Sequence, residues 1–93
     1  MPFVYIIYSE KLDQYYIGSS ENVAQRVVDH NDNKRKSFTN KSNDWEMWFQ
    51  MEVQDWTIAL KIEKHIKRMK SRKYIENLQK FPEISQKLIL KYK

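Results

Sequence analysis

Residues 3–8, Phe-Val-Tyr-Ile-Ile-Tyr, form an almost unbroken apolar and aromatic run, which predicts a strand covered on both faces and so central in its sheet. Residues 14–18, Gln-Tyr-Tyr-Ile-Gly, read as its hairpin partner across the polar stretch Ser9-Glu10-Lys11-Leu12-Asp13. From Asn22 the period changes: Val23, Ala24, Val27 and Val28 fall on one side of a helix spanning roughly 22–31, and Asn22 with Gln25 resembles a capping box. Residues 31–44 hold one large apolar residue, Phe38, and predict a mobile loop anchored by it.

After that loop, Trp45, Met47, Phe49, Met51 and Val53 alternate with polar or opposite-parity positions, the pattern of a strand with one buried face. Asp55 is a helix cap, and Ala59, Ile62, Ile66 and Met69 recur at three- and four-residue spacing behind it. Ser71 caps a further helix to about Lys80, and Pro82 suits the first turn of a last one ending near Leu90. The expected fold is α+β: one domain over 1–93, with a small three-stranded, mostly antiparallel sheet flanked by helices.

Length agrees with a single small core, and thirteen aromatic residues supply bulky material for it. Without cysteine there is neither a disulfide framework nor a thiolate metal site. Nothing at the N-terminus reads as a signal peptide or membrane span, so a cytoplasmic protein with no membrane partner is expected. The formal charge is +5, and cations cluster at Lys34, Arg35 and Lys36 and again at Lys67, Lys70, Arg72 and Lys73. Such stripes suit phosphates, which makes nucleic acid the leading partner class, DNA first and RNA as the other candidate. A solvated basic face is the plain alternative.

Helix phase places candidate chemistry without any reference to relatives. At about 100° per residue, Arg26 and His30 lie about 40° apart and flank the apolar arc of their helix. By the same arithmetic Glu63 stands about 40° beyond Ala59, at the edge of the apolar stripe of its helix. Tyr5 and Tyr16 share one face of the hairpin only if an odd-numbered residue pairs with an even-numbered one, so the connecting loop must hold an even number of residues.

Tyr5, the run Tyr15-Tyr16-Ile17-Gly18, then Arg26, His30 and Glu63, in that order over residues 3–66, resemble the catalytic layout of the GIY-YIG nuclease family. The run from Ile66 to Lys73 resembles the basic stretch of its small standalone members. The first motif departs from the family pattern, reading Phe3-Val4-Tyr5 without glycine, and Asn77 is an uncertain counterpart of an asparagine that some members carry. The resemblance implies a metal-dependent endonuclease that hydrolyses DNA phosphodiesters with a tyrosine-activated water, selecting structure and serving repair. Tyr5 would be the general base, Tyr16 would help activate water, Arg26 would bind the scissile phosphate, and His30 would orient Tyr5 or assist proton transfer. Glu63 would hold Mg²⁺, or Mn²⁺, with waters and phosphate completing the shell. Gly18 would permit a tight turn or a close approach.

Plainer roles stand beside these. Glu63 and Lys67 form a favourable i,i+4 pair, Arg26 has Asp29 and Asp32 in reach, and His30 suits a helix C-terminus. Trp45 is expected in the core, while Trp48 either packs under a helix or stacks on bases. The competing functions are a nucleic-acid-binding module that cuts poorly on the same scaffold and, more weakly, a protein-interaction module. Oligomeric state is open, with a monomer possible.

Overall fold

The structure, a computed structural model, describes residues 1–32 and 42–93. Lys34, Arg35, Lys36 and the anchor Phe38 lie outside the described residues. The elements run β1 (Phe3–Ser9), β2 (Gln14–Ser20), α1 (Val23–Asn31), β3 (Glu46–Glu52), α2 (Trp56–Met69), α3 (Arg72–Lys80) and α4 (Pro82–Tyr92). The sheet order is β2-β1-β3 with both pairings antiparallel, so the α+β expectation holds and the apolar run is the central strand. Val4, Tyr5, Ile6 and Ile7 have no exposed surface.

The sheet separates two apolar layers. Val4 and Ile6 face one side, where Ile58, Ala59, Ile62 and Ile66 of α2 meet Ile75 and Leu78 of α3 and Leu88 of α4. Tyr5 and Ile7 face the other side, packed with Val23 of α1 and with Trp45. No helix among the described residues is long and apolar enough to cross a membrane.

Residues 10–13 make a four-residue connection, and the register sets Tyr5 opposite Gly18 and Ile7 opposite Tyr16. The two tyrosines therefore share a face, as the even loop requires. The caps form as expected: the side chains of Asn22, Asp55 and Ser71 accept from the amides of Gln25, Ile58 and Tyr74. The capping box is only half made. The Gln25 side chain turns to Asp29, and the Asn22 amide is satisfied by Ser20 Oγ instead.

Two expectations change. In α1 the buried positions are Val23 and His30, whereas Ala24 and Val28 are exposed. The helix is rotated so that His30, not Val28, faces the sheet, because the imidazole finds a hydrogen-bond partner there. In β3 the alternation is interrupted: Ile6 pairs with Phe49 but Ile7 with Met47, leaving Trp48 as an extra residue at a bulge. Met47 is thereby exposed, while Met51 and Val53 are buried. Trp48 takes the packed alternative, against Tyr8 and Tyr15, with its carbonyl bonded by Gln79 of α3. Trp45 is buried as expected.

Candidate active site

Tyr5 carries the first piece of chemistry, and its position follows from the strand opposite. An ideal Cβ built on Gly18 would lie 2.6 Å from the Tyr5 hydroxyl and 2.7 Å from its Cζ. The ring is laid across the glycine, reaching from the central strand toward the edge strand β2. Gly18 therefore serves a close approach, by Tyr5, rather than a turn, and its φ is not in the left-handed region.

At the end of that ring the Tyr5 hydroxyl meets His30 Nε2 at 2.8 Å, joining β1 to the last turn of α1 inside a buried layer. Tyr16, half-buried, lies over the same imidazole with ring centroids 4.7 Å apart. Arg26, one turn before His30, brings its guanidinium against Tyr5, and the charge of each group stabilises that of the other. Burial nevertheless wins: the Tyr5 phenol is pushed above its ordinary value despite the pull of Arg26. The resting site holds a neutral phenol.

Arg26 is incompletely used by the protein. Its contact with Asp29 is long, 3.9 Å, and its Nε is buried with no hydrogen-bond partner. A buried N–H with nothing to donate to is costly, and the rest of the guanidinium, on a side chain 40 % exposed, keeps donors that an anion can reach.

Glu63 reaches the same strand from the opposite face of the sheet. Its Oε1 accepts a 2.6 Å hydrogen bond from Ser19, the residue after Gly18, and its charge is near enough to Tyr5 to help raise the phenol. Thus Tyr5, Tyr16, Arg26 and His30 gather on one face, and Glu63 joins them around the open edge of β2 at Gly18–Ser19. The plainer reading of Glu63 is also realised, since Oε2 pairs with Lys67 at 2.7 Å.

The described residues contain no group of three or more His, Cys, Asp or Glu that could enclose a metal. A carboxylate with a neighbouring serine hydroxyl still fits a hard cation such as Mg²⁺, which keeps most of its waters and takes one or two protein oxygens. It does not fit a structural zinc site.

Residues 1–76 match the family described as GIY-YIG catalytic domain. The chain belongs to the GIY-YIG family. Its domain is therefore of nuclease type, with nucleic acid as its substrate class, and nucleases of this family generally depend on a divalent metal. No curated protein matches the chain, and no solved structure does.

The expected phosphate-binding cations divide. Lys70, the C-cap of α2, and Lys73, in the first turn of α3, are exposed. Arg72 is engaged: it bonds the Asp13 carbonyl at 3.0 Å and its carboxylate at 2.8 Å and lies over the Tyr15 ring, tying α3 to the hairpin. No hydrogen bond of the described residues brings the Asn77 side chain to the site; its carbonyl caps the chain at Phe81. Sequence reasoning missed Ser19 and the seat that Gly18 makes for Tyr5. The second was within reach, because a four-residue connection places residue 5 opposite residue 18.

Proposed function

We propose that this GIY-YIG protein is a metal-dependent endonuclease that hydrolyses DNA phosphodiesters with a water activated by its tyrosines. The observation that carries the proposal is the part-exposed guanidinium of Arg26, only loosely held by Asp29, beside a Tyr5–His30 hydrogen bond. Together they provide an anion receptor next to a proton acceptor, the two functions that attack on a phosphate ester requires.

Arg26 would take a non-bridging oxygen of the scissile phosphate with the exposed side of its guanidinium, offsetting charge in the transition state. Tyr5 is a poor base while neutral, and burial keeps it so. The acceptor is therefore the pair: as water yields its proton to the Tyr5 oxygen, the phenol proton passes to His30 Nε2. Arg26 stabilises any phenolate character that develops on the way. Tyr16, the more exposed phenol, would orient the water. The water oxygen forms the new bond to phosphorus, the bond to the 3′ ester oxygen breaks, the departing oxygen takes a proton from solvent, and by family analogy 5′-phosphate and 3′-hydroxyl ends result. Glu63 and Ser19 would hold the divalent cation, which supplies Lewis-acid stabilisation of the phosphoryl oxygens and leaving group.

Lys70 and Lys73 suit backbone phosphates, which carry no sequence information, so selection by nucleic-acid shape and a repair role are proposed with the activity. The test is cleavage of linear, branched and single-stranded substrates with Mg²⁺ or Mn²⁺ and with chelator. Wild type should cut only with metal, and Tyr5→Phe, Arg26→Ala and Glu63→Gln should each lose most of the rate. Equal cutting by all three variants would assign the activity to another site or a contaminant.

A further inference from the structure

Lys67 stands between two things that want it. Its ammonium is 2.7 Å from Glu63 Oε2, the carboxylate oxygen that Ser19 leaves open. The same side chain lines a cleft of about 290 Å³ with Asp13, Tyr15, Lys70, Ser71 and Arg72, between the β2 edge and the α2–α3 junction. Arg72 is already bonded to Asp13, so Lys67 and Lys70 are the cleft cations with charge to offer a strand. Lys67 is half-exposed whereas Glu63 is largely covered, so the lysine is the partner free to move.

We propose that Lys67 is a built-in counter-ion of Glu63 that couples divalent-metal binding to nucleic-acid binding. The inference rests on the reading of Glu63 as metal ligand. With the cleft empty, the ammonium occupies the outer oxygen of Glu63 and repels a second cation. When a backbone phosphate enters, it draws the ammonium away, on a flexible stem with three rotatable donors, and the oxygen opens to metal. Linkage makes the effect reciprocal: metal at Glu63 releases Lys67 and so strengthens binding of the strand. The enzyme would then bind metal tightly only with substrate present.

The test measures Mn²⁺ binding directly, from the electron paramagnetic resonance signal of free Mn²⁺, with no turnover involved. Lys67→Met and Lys70→Met remove one charge each, but only the first touches Glu63. Without nucleic acid, Lys67→Met should bind Mn²⁺ about three- to tenfold more tightly, and Lys70→Met should stay within about twofold of wild type, as expected for a contact charge against a more distant one. In a Tyr5→Phe background, which holds an oligonucleotide uncut, added strand should raise Mn²⁺ affinity, and the added Lys67→Met change should abolish that rise. Equal shifts in Lys67→Met and Lys70→Met would overturn the counter-ion role in favour of general charge. Mn²⁺ binding that needs Glu63 but ignores Lys67 would overturn it while sparing the metal site. Unchanged binding in Glu63→Gln would remove the metal reading, and this inference with it.

Discussion

Replacing Gly18 by alanine tests the geometry of the site at its narrowest point. In an ordinary strand the change would stabilise, by about 0.5–1 kcal/mol, because alanine loses less backbone freedom on folding. Here the new methyl would meet the Tyr5 hydroxyl at 2.6 Å, Cζ at 2.7 Å and Cε1 at 3.0 Å. Normal contact begins near 3.4 Å, so ring and strand must separate by about 0.8 Å. The ring has no room to yield: Tyr5 is wholly buried, packed with Val23 and Trp45 and tied to His30. Overpacking of this kind costs about 1–3 kcal/mol, which for a domain of this size lowers the melting temperature by roughly 5–20 °C. Displacing a reacting hydroxyl by almost 1 Å should also cost about 10²-fold in single-turnover cleavage. Thermal melts followed by circular dichroism give the first quantity, and cleavage kinetics well below the melt give the second. Shortening the partner in a Gly18→Ala, Tyr5→Leu double variant should recover part of the melting temperature and none of the activity. A Gly18→Ala protein that melts at or above wild type and cuts at the wild-type rate would refute the placement of Tyr5 across this glycine.

Asn31→Ala should destabilise by about 1–3 kcal/mol in urea titration, because the Asn31 amide bonds both the carbonyl and the N–H of buried Trp45, at 3.0 and 2.8 Å. His65, bonded to the Tyr92 hydroxyl of α4, is held below its ordinary value of 6.5 by burial and then by Lys91 and Arg68. Its neutral form is the folded one, so its contribution is present above pH 6.5 and lost as pH falls. Melting temperature should drop between pH 7.5 and 5, and drop less in His65→Gln. Asp44 is held well below the usual carboxylate range by hydrogen bonds from Ser42, Ser9 and the Lys11 amide. That contribution is present above about pH 4 and disappears as pH falls further, so Asp44→Asn should unfold with a shallower acid limb in a pH-jump titration.

The fold was legible where local chemistry and tertiary packing agree. A six-residue apolar run rich in aromatic and β-branched residues and followed by a polar turn fits a strand with both faces covered, and β1 is one. Asp55 and Ser71 cap because their side chains reach amides three residues on, a rule that needs no tertiary partner. The phase of α1 was not legible, because hydrophobicity ranks Val28 above His30. A histidine takes the inward position only once a phenol on another element is known to receive it. The bulge was illegible for a related reason: one extra residue inverts the parity of everything before it, and Trp48 satisfies either parity.

For the candidate site, the sequence placed each side chain on its own element but not the side chains relative to one another. Parity predicted that Tyr5 and Tyr16 share a face, whereas helix phase put both Arg26 and His30 at a rim and only Arg26 stays part-exposed, His30 being buried against the sheet. Neither reasoning shows that Glu63 approaches from the other layer, because phase within one helix says nothing about which side of a sheet that helix covers. The edge strand resolves this. At Gly18 it has no side chain, so the Tyr5 ring can lie across it from one layer; at Ser19 it has a short hydroxyl facing the other layer, which receives Glu63. A bulky residue at either position would push the phenol back or hold the carboxylate away. Gly18 and Ser19 thus account for why groups from opposite faces of a sheet come within electrostatic reach of each other. The requirement is a physical one on residues 18 and 19 together, separate from the chemistry of the five groups they bring together.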